Sequence, residues 1–451
     1  MGDDGSRVAP DASNALVGFR TALRGCLPRW GDALFELADA ALDGPASVGS
    51  VPALSLEPVF RRSHGSLYKA LARGRIDERA LRDLLAAARP AGWPAVFAVD
   101  ATTWPRCDAE TSPERGFYYH PSRHSAGQPI VAGWSYSWIA GLSWAPDSWT
   151  APLDARRIPP GTDPVAATLA QLTELVARLP DTDPVPLFVF DAGYDPIALG
   201  HDLAGIRASI LVRIRSDRFF HAQPVPRRTV GRPRRHGRRF ACADPASWWA
   251  PDATLAAADA RYGTVEVAAW HGVHPRLARR GHWAGALPPI VEGSVIRVEV
   301  EHLPKPTARA KKTLWLWWSG PGTPDLDVCW RAYLRRFDLE HTFRFVKQAL
   351  GWTTPSLCTP QQADRWTWLV VTAYTQLRLA RGLVADDRLP WERPCEPARL
   401  TPARVRRGFR RLRAALGTPA SPPKSRAAGP GRPKGTRRPP RMRYPAIKRA
   451  A

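Results

Sequence analysis

The chain has 451 residues, 65 Lys and Arg against 41 Asp and Glu, and a formal net charge of +24. That length supports roughly two to four structural units and excludes a small stapled scaffold, while the charge points to a polyanionic partner, most simply nucleic acid. The six cysteines have no close pair, so neither a zinc motif nor a disulfide framework is indicated, and no apolar run is long enough for a membrane span.

Residues 1–90 read as helices. Apolar positions recur at helical spacing over 22–42 and 66–88, with Pro58, Gly65 and Gly74 at the joints. Arg61, Arg62, Lys69, Arg73 and Arg75 make this region a candidate reader of DNA ends, with a plain helical scaffold as the alternative.

From Trp93 the texture changes to strand. Residues 94–99 form a short run rich in β-formers that ends on Asp100, and strands over 130–142 and 149–158 continue a meander. Asp163 and Pro164 open a helix through Leu179. The next strand, 185–190, ends on Asp191 within Asp191-Ala192-Gly193-Tyr194, and Asp195 is the expected N-cap of a helix over 196–203. A single aspartate after a strand is more often a turn or cap residue. Two strands ending in aspartate suggest carboxylates gathered at one end of a sheet, as a hydrolytic metal site requires.

A strand at 210–214 leads into a basic loop with Arg232, Arg234 and Arg235, read as a phosphate-contact element or a solvated linker. Strands at 263–270, 294–302 and 312–318 then make a β-rich insertion over 217–320, rich in tryptophan that is mostly core. Residues 325–350 read as one helix. At about 100° per residue, Tyr333, Arg336, Glu340 and Lys347 fall within an arc of roughly 60°. Taken alone, that stripe is equally consistent with a basic surface helix whose Glu340 pairs with Arg336 or Arg344. Helices over 361–383 and 402–416 follow, the second with arginines over its outer surface.

The final stretch, 417–451, holds ten Lys or Arg and eight Pro with no acid, so it is expected to lack a fold of its own. Within it, Pro430-Gly431-Arg432-Pro433-Lys434-Gly435 resembles the AT-hook, a minor-groove element, with generic phosphate attraction as the alternative.

The spacing of Tyr333, Arg336, Glu340 and Lys347 resembles the signature of bacterial insertion-sequence transposases with a DDE (Asp-Asp-Glu) active site, and Asp191-Ala192-Gly193-Tyr194 looks like that family's second-aspartate motif. The resemblance implies an α/β fold: an RNase H-like mixed sheet flanked by helices (91–216 and 321–416), interrupted by the insertion and preceded by the all-helical region. It implies that Asp100, Asp191 and Glu340 are the catalytic and metal-binding triad, holding two Mg²⁺ ions for which Mn²⁺ can substitute, and that Tyr333, Arg336 and Lys347 hold phosphates. DNA cutting and joining at element ends, double-stranded DNA as partner, a homodimer on DNA and a cytoplasmic, nucleoid-associated setting follow from it. The competing readings are a domesticated, inactive DNA-binding protein and an RNase H-like nuclease that does not transpose.

Overall fold

The computed structural model describes residues 10–44, 47–120, 127–225, 234–285, 287–303, 311–424, 433–437 and 440–448. Five helices come first: α1 (Pro10–Gly25), α2 (Gly31–Asp43), α3 (Val51–Leu54), α4 (His64–Arg73) and α5 (Glu78–Ala87). The helical spacing read over 22–42 is shared between α1 and α2, which are separated by a turn ending at Trp30 with a left-handed backbone (φ 58°).

The core follows as β1 (Val96–Pro105), β2 (Gly116–Tyr119), β3 (Ile130–Gly141), β4 (Ala151–Ile158), α6 (Pro164–Val176), β5 (Leu187–Phe190), α7 (Pro196–Asp202) and β6 (Ser209–Ile214). The caps behave as their side chains dictate. Asp163 accepts the Val165 amide at the start of α6, and Asp195 accepts those of Ile197 and Ala198 at the start of α7. β3 runs antiparallel to both β1 and β4, whereas β5 runs parallel to both β1 and β6. The strand order β4-β3-β1-β5-β6 is that of an RNase H-like sheet, as expected.

The insertion contributes β7 (Phe219–His221), β8 (Arg239–Ala241), β9 (Ala253–Asp259), β10 (Gly263–Val273), β11 (Gly293–Val300) and β12 (Thr313–Ser319). Its long strands extend the core sheet: β12 pairs antiparallel with β6, and β11, β10 and β9 follow in order, completing a ten-stranded sheet. Only β7 and β8 form a separate hairpin. The sequence reading missed β2 and the three-residue β7 and β8, which are too short for a period. It also missed β9, whose run of small residues alternates between half-buried and exposed positions without apolar contrast.

The chain then returns as α8 (Leu326–Arg335), α9 (Phe337–Gln348), α10 (Pro360–Ala380) and α11 (Pro402–Leu416). The single helix expected over 325–350 is therefore two segments joined at Arg336, which keeps helical dihedrals (φ −53°, ψ −33°). α10 was expected to be apolar along one side. Almost every residue from Trp366 to Leu377 is buried, because α10 packs on β4 on one side and under α1 and α2 on the other. A buried contact fixes that layer: Arg20 donates to Asp39 at 2.7 Å and to Gln376 at 2.6 Å. Of the six arginines expected on the outer surface of α11, Arg404, Arg407 and Arg413 pair with Asp386, Glu392 and Asp43 and Arg406 is buried, while Arg410 and Arg411 are exposed as expected.

Parts of the basic tail are docked. Arg20 and Arg61 donate to the carbonyls of Gly417 and Ala420, and Arg115 donates to that of Tyr444. The Ile447 amide donates to the Arg115 carbonyl, which lays the tail along the start of β2. Among the described residues, no helix is long and apolar enough to cross a membrane.

Candidate active site

The parallel pairing of β1 with β5 runs from Val96↔Leu187 to Ala98↔Val189. Continued by two residues, this register sets Asp100, midway along β1, beside Asp191 just beyond the end of β5, on strands about 4.8 Å apart. Each aspartate is fixed by a local amide: Ala101 donates to Asp100 Oδ1 at 2.8 Å, and Gly193 donates to Asp191 Oδ1 at 2.8 Å. The turn explains the glycine, since a Cβ at position 193 would stand 3.0 Å from that carboxylate oxygen. Tyr194 completes the motif by packing its ring on Phe190 at 4.8 Å.

The junction of α8 and α9 faces this strand edge. Arg336 Nη1 donates to Asp100 Oδ2 at 3.3 Å and Nη2 to Glu340 Oε1 at 3.2 Å, so one guanidinium touches the first and third carboxylates of the expected triad. Asp191 acts on the same group: its charge, with those of Asp100 and Glu340, favours the charged form of Arg336 against the burial that opposes it. Lys347 Nζ donates to Thr102 Oγ1 at 2.6 Å, two residues along β1 from Asp100. Tyr333 is buried beside Arg336, with Arg213 and Arg336 as its cationic neighbours.

The electrostatics are those of crowded acids. Burial raises the Asp100 carboxyl to about 6; Asp191 and Glu340 push in the same direction, and Arg336 opposes them. Burial lowers Lys347 to about 8, with Asp100 pulling the other way. Burial also raises the Tyr333 phenol. Two donors in the site, the Tyr333 hydroxyl and Arg336 Nε, are buried without a hydrogen-bond partner. Buried polar groups are normally satisfied, so both are set to meet an acceptor that enters the site.

Among the described residues, no three His, Cys, Asp or Glu side chains are spaced to hold a metal ion as they stand. The donor set nevertheless suits a hard divalent cation: all-oxygen carboxylates, two of them mutually repelling, with a half-exposed Glu340 whose described partner is Arg336.

The sequence-expected residues outside this centre fare differently. Arg232 and Arg432 lie outside the described residues. Arg234 is exposed, Arg235 donates to the Pro288 carbonyl at 2.7 Å, and Lys434 is exposed in the tail; none of the three joins the carboxylates. Two residues that the sequence reading did not single out belong to the site. Arg213 is the one charge in the apolar strand Ser209–Ile214, and Thr102 shares a face of β1 with Asp100 through the two-residue period. Both signals were present in the pattern.

No curated protein matches the chain at a significant level. The sequence profile described as DDE superfamily endonuclease matches residues 22–276, a span that includes Asp100 and Asp191 and ends before α8 and α9. That family carries nuclease-type chemistry with DNA as substrate. With more than half of its length matched and an RNase H-like sheet bearing carboxylates at its edge, the chain belongs to the DDE superfamily of endonucleases.

Proposed function

We propose that this enzyme is an insertion-sequence transposase that cuts DNA at element ends and joins them to a target, with Asp100, Asp191 and Glu340 as its catalytic carboxylates. The observation that carries the reading is the convergence on Arg336 of Asp100 from β1, the charge of Asp191 from the end of β5, and Glu340 from α9, with Tyr333 and Lys347 alongside. The three carboxylates would hold Mg²⁺. When bound, such ions neutralise developing charge and lower the pKa of an attacking oxygen.

The rest of the work falls to the chain. Arg336, through Nε, and Tyr333, through its hydroxyl, present unsatisfied donors to a phosphate, and the guanidinium charge strengthens the first of these bonds. Lys347, tethered to Thr102, adds a positive charge near Asp100. Held in this way, the scissile phosphate is aligned for in-line attack, and positioning with charge stabilisation supplies most of the rate. In the helical region, Arg61 and Arg62 are engaged by Glu36 and Asp32, which leaves the exposed Lys69, Arg73 and Arg75 to contact an end. The tail, through Lys434 and its neighbours, adds a sequence-tolerant anchor, and two copies assemble on paired ends.

The test is cleavage and joining of a duplex carrying the terminal sequence of the element, with Mg²⁺, comparing the native enzyme with Glu340→Gln. Nicked and joined products from the native enzyme alone support the reading. Cleavage without joining leaves a nuclease, and binding without cleavage leaves an inactive DNA-binding protein.

A further inference from the structure

β6 runs parallel to β5, with Phe190 opposite Val212, so Arg215 leaves the sheet on the same edge as Asp191, one strand closer to the insertion. The chain turns there through Arg218 to Phe219. The segment after β10 returns over that turn with Arg276, Arg280 and Trp283, and the two enclose a concavity of about 660 Å³. Asp195, four residues beyond Asp191, forms part of its wall, so the concavity and the carboxylates share one rim.

Its charge is unusual for this protein. None of the guanidinium groups of Arg215, Arg218, Arg276 and Arg280 has a carboxylate or carbonyl partner among the described residues, in contrast to the paired arginines of α11. Two carboxylates lie in the wall, and Asp195 is already occupied in capping α7. His282 is turned to Asp202 at 3.3 Å. Two aromatic rings complete the lining. Phe219 is 42% exposed with the Arg239 guanidinium over one face at 4.6 Å and the other face open to stack, and the half-buried Trp283 is held edge-on by His201 and His282 at 5.2 and 4.5 Å.

Unpaired arginines interleaved with accessible rings suit a nucleic-acid strand, with phosphates on the guanidinium groups and bases on the rings. The size selects a single strand. A concavity of this volume suits a short stretch of one strand and is too small to take up both strands of a duplex, whose major groove alone is about 12 Å wide. We propose that this cleft holds one unpaired strand of the DNA flanking the scissile bond, so that the enzyme prefers ends with a single-stranded flank. The proposal rests on the reading of the carboxylate centre as a DNA-cutting site.

The experiment is fluorescence anisotropy across a salt series, with an end duplex that is either blunt or carries a short single-stranded extension, run beside Mg²⁺-dependent cleavage of the same duplexes. The native enzyme should bind the extended duplex about tenfold more tightly, the factor expected from stacking one base. In Arg276→Gln/Arg280→Gln that preference should vanish, with the slope of log affinity against log salt flatter by about 0.7 for each phosphate left unneutralised. Trp283→Ala should reduce the preference without changing the slope. Equal affinity of the native enzyme for both duplexes, or a preference that survives in the double variant, would overturn the cleft assignment while cleavage still upholds the catalytic reading. A native enzyme that neither binds nor cuts either duplex would overturn both.

Discussion

Arg336 donates to Asp100 over 3.3 Å, and through the opposite side of the same guanidinium it reaches Glu340 at 3.2 Å. A cation of the chain thus sits between carboxylates expected to bind cations from solution. The two must compete. Replacing Arg336 with Ala should raise Mg²⁺ affinity, by on the order of tenfold for the roughly 1.4 kcal/mol of competing interaction removed, while cleavage is lost with the phosphate grip. Titration calorimetry on Arg336→Ala and Arg336→Lys separates these effects. Lysine keeps the charge and loses the planar fork, so it should restore weak Mg²⁺ binding without restoring cleavage. Unchanged Mg²⁺ affinity in the alanine variant would mean that the carboxylates do not bind the ion where Arg336 stands.

Glu340 is half exposed, and its pair with Arg336 spans one helical turn. Such pairs contribute at most about 1 kcal/mol. Glu340→Gln should therefore leave the denaturation midpoint nearly unchanged and abolish cleavage. A large loss of stability would indicate a structural ion pair instead of a catalytic acid.

Asp100 has an ordinary value of 3.8 and is raised to about 6 by burial, with Asp191 and Glu340 adding to the effect. Between these values the folded state binds more protons than the unfolded state, so this group's contribution to stability falls as pH rises through the window. Asp100→Asn lacks the term. Measured by denaturant unfolding without Mg²⁺, the variant should gain on the native enzyme as pH rises from about 4 to 6, and a difference independent of pH would contradict the burial of an ionisable acid.

A histidine cluster works in the opposite direction. His236 Nδ1 lies 3.0 Å from His274 Nε2, and His221 packs against both rings, with Arg235, Arg239 and Arg276 nearby. His274 is fully buried, and burial with the charges of His236 and His221 lowers it from 6.5 to about 4. Here the unfolded state binds more protons across the window, so stability is lost as pH falls from about 6.5 towards 4. His274→Gln should remove that acid sensitivity. If the variant shows the same loss as the native enzyme, the cluster is not its source.

The docked parts of the tail separate stability from DNA attraction. Arg61 and Arg62 hold the carbonyls of Ala420 and Ser421, so a chain ending at Lys424 keeps these contacts and loses those of Tyr444 and Ile447 with Arg115, and one ending at Leu416 loses both sets and should be the less stable of the two. Both should show a flatter salt dependence of DNA affinity, by about 0.9 for each phosphate that the tail no longer neutralises. An unchanged slope in both would mean that the tail does not touch DNA.

Local chemistry made much of this protein legible from its sequence. Asp163 and Asp195 cap helices because a carboxylate beside free amides does so wherever it occurs, α11 starts at Pro402 and ends before Gly417, and Asp191 follows β5 because apolar β-formers give way to a turn, whereas β1, expected to end on Asp100, runs on to Pro105. The spacing of Arg336 and Glu340 on one helical face likewise follows from the residue period alone. What the sequence could not decide is which charge meets which. The arginines of α11 read as an outer surface, yet Arg404, Arg407 and Arg413 are taken up by Asp386, Glu392 and Asp43, while Arg215, Arg218, Arg276 and Arg280, unremarkable in sequence, are left without partners among the described residues. Pairing depends on residues far apart in the chain. For the same reason only the tertiary structure shows α10 covered on both sides, the insertion strands continuing the core sheet from β6, and Arg336 lodged between Asp100 and Glu340.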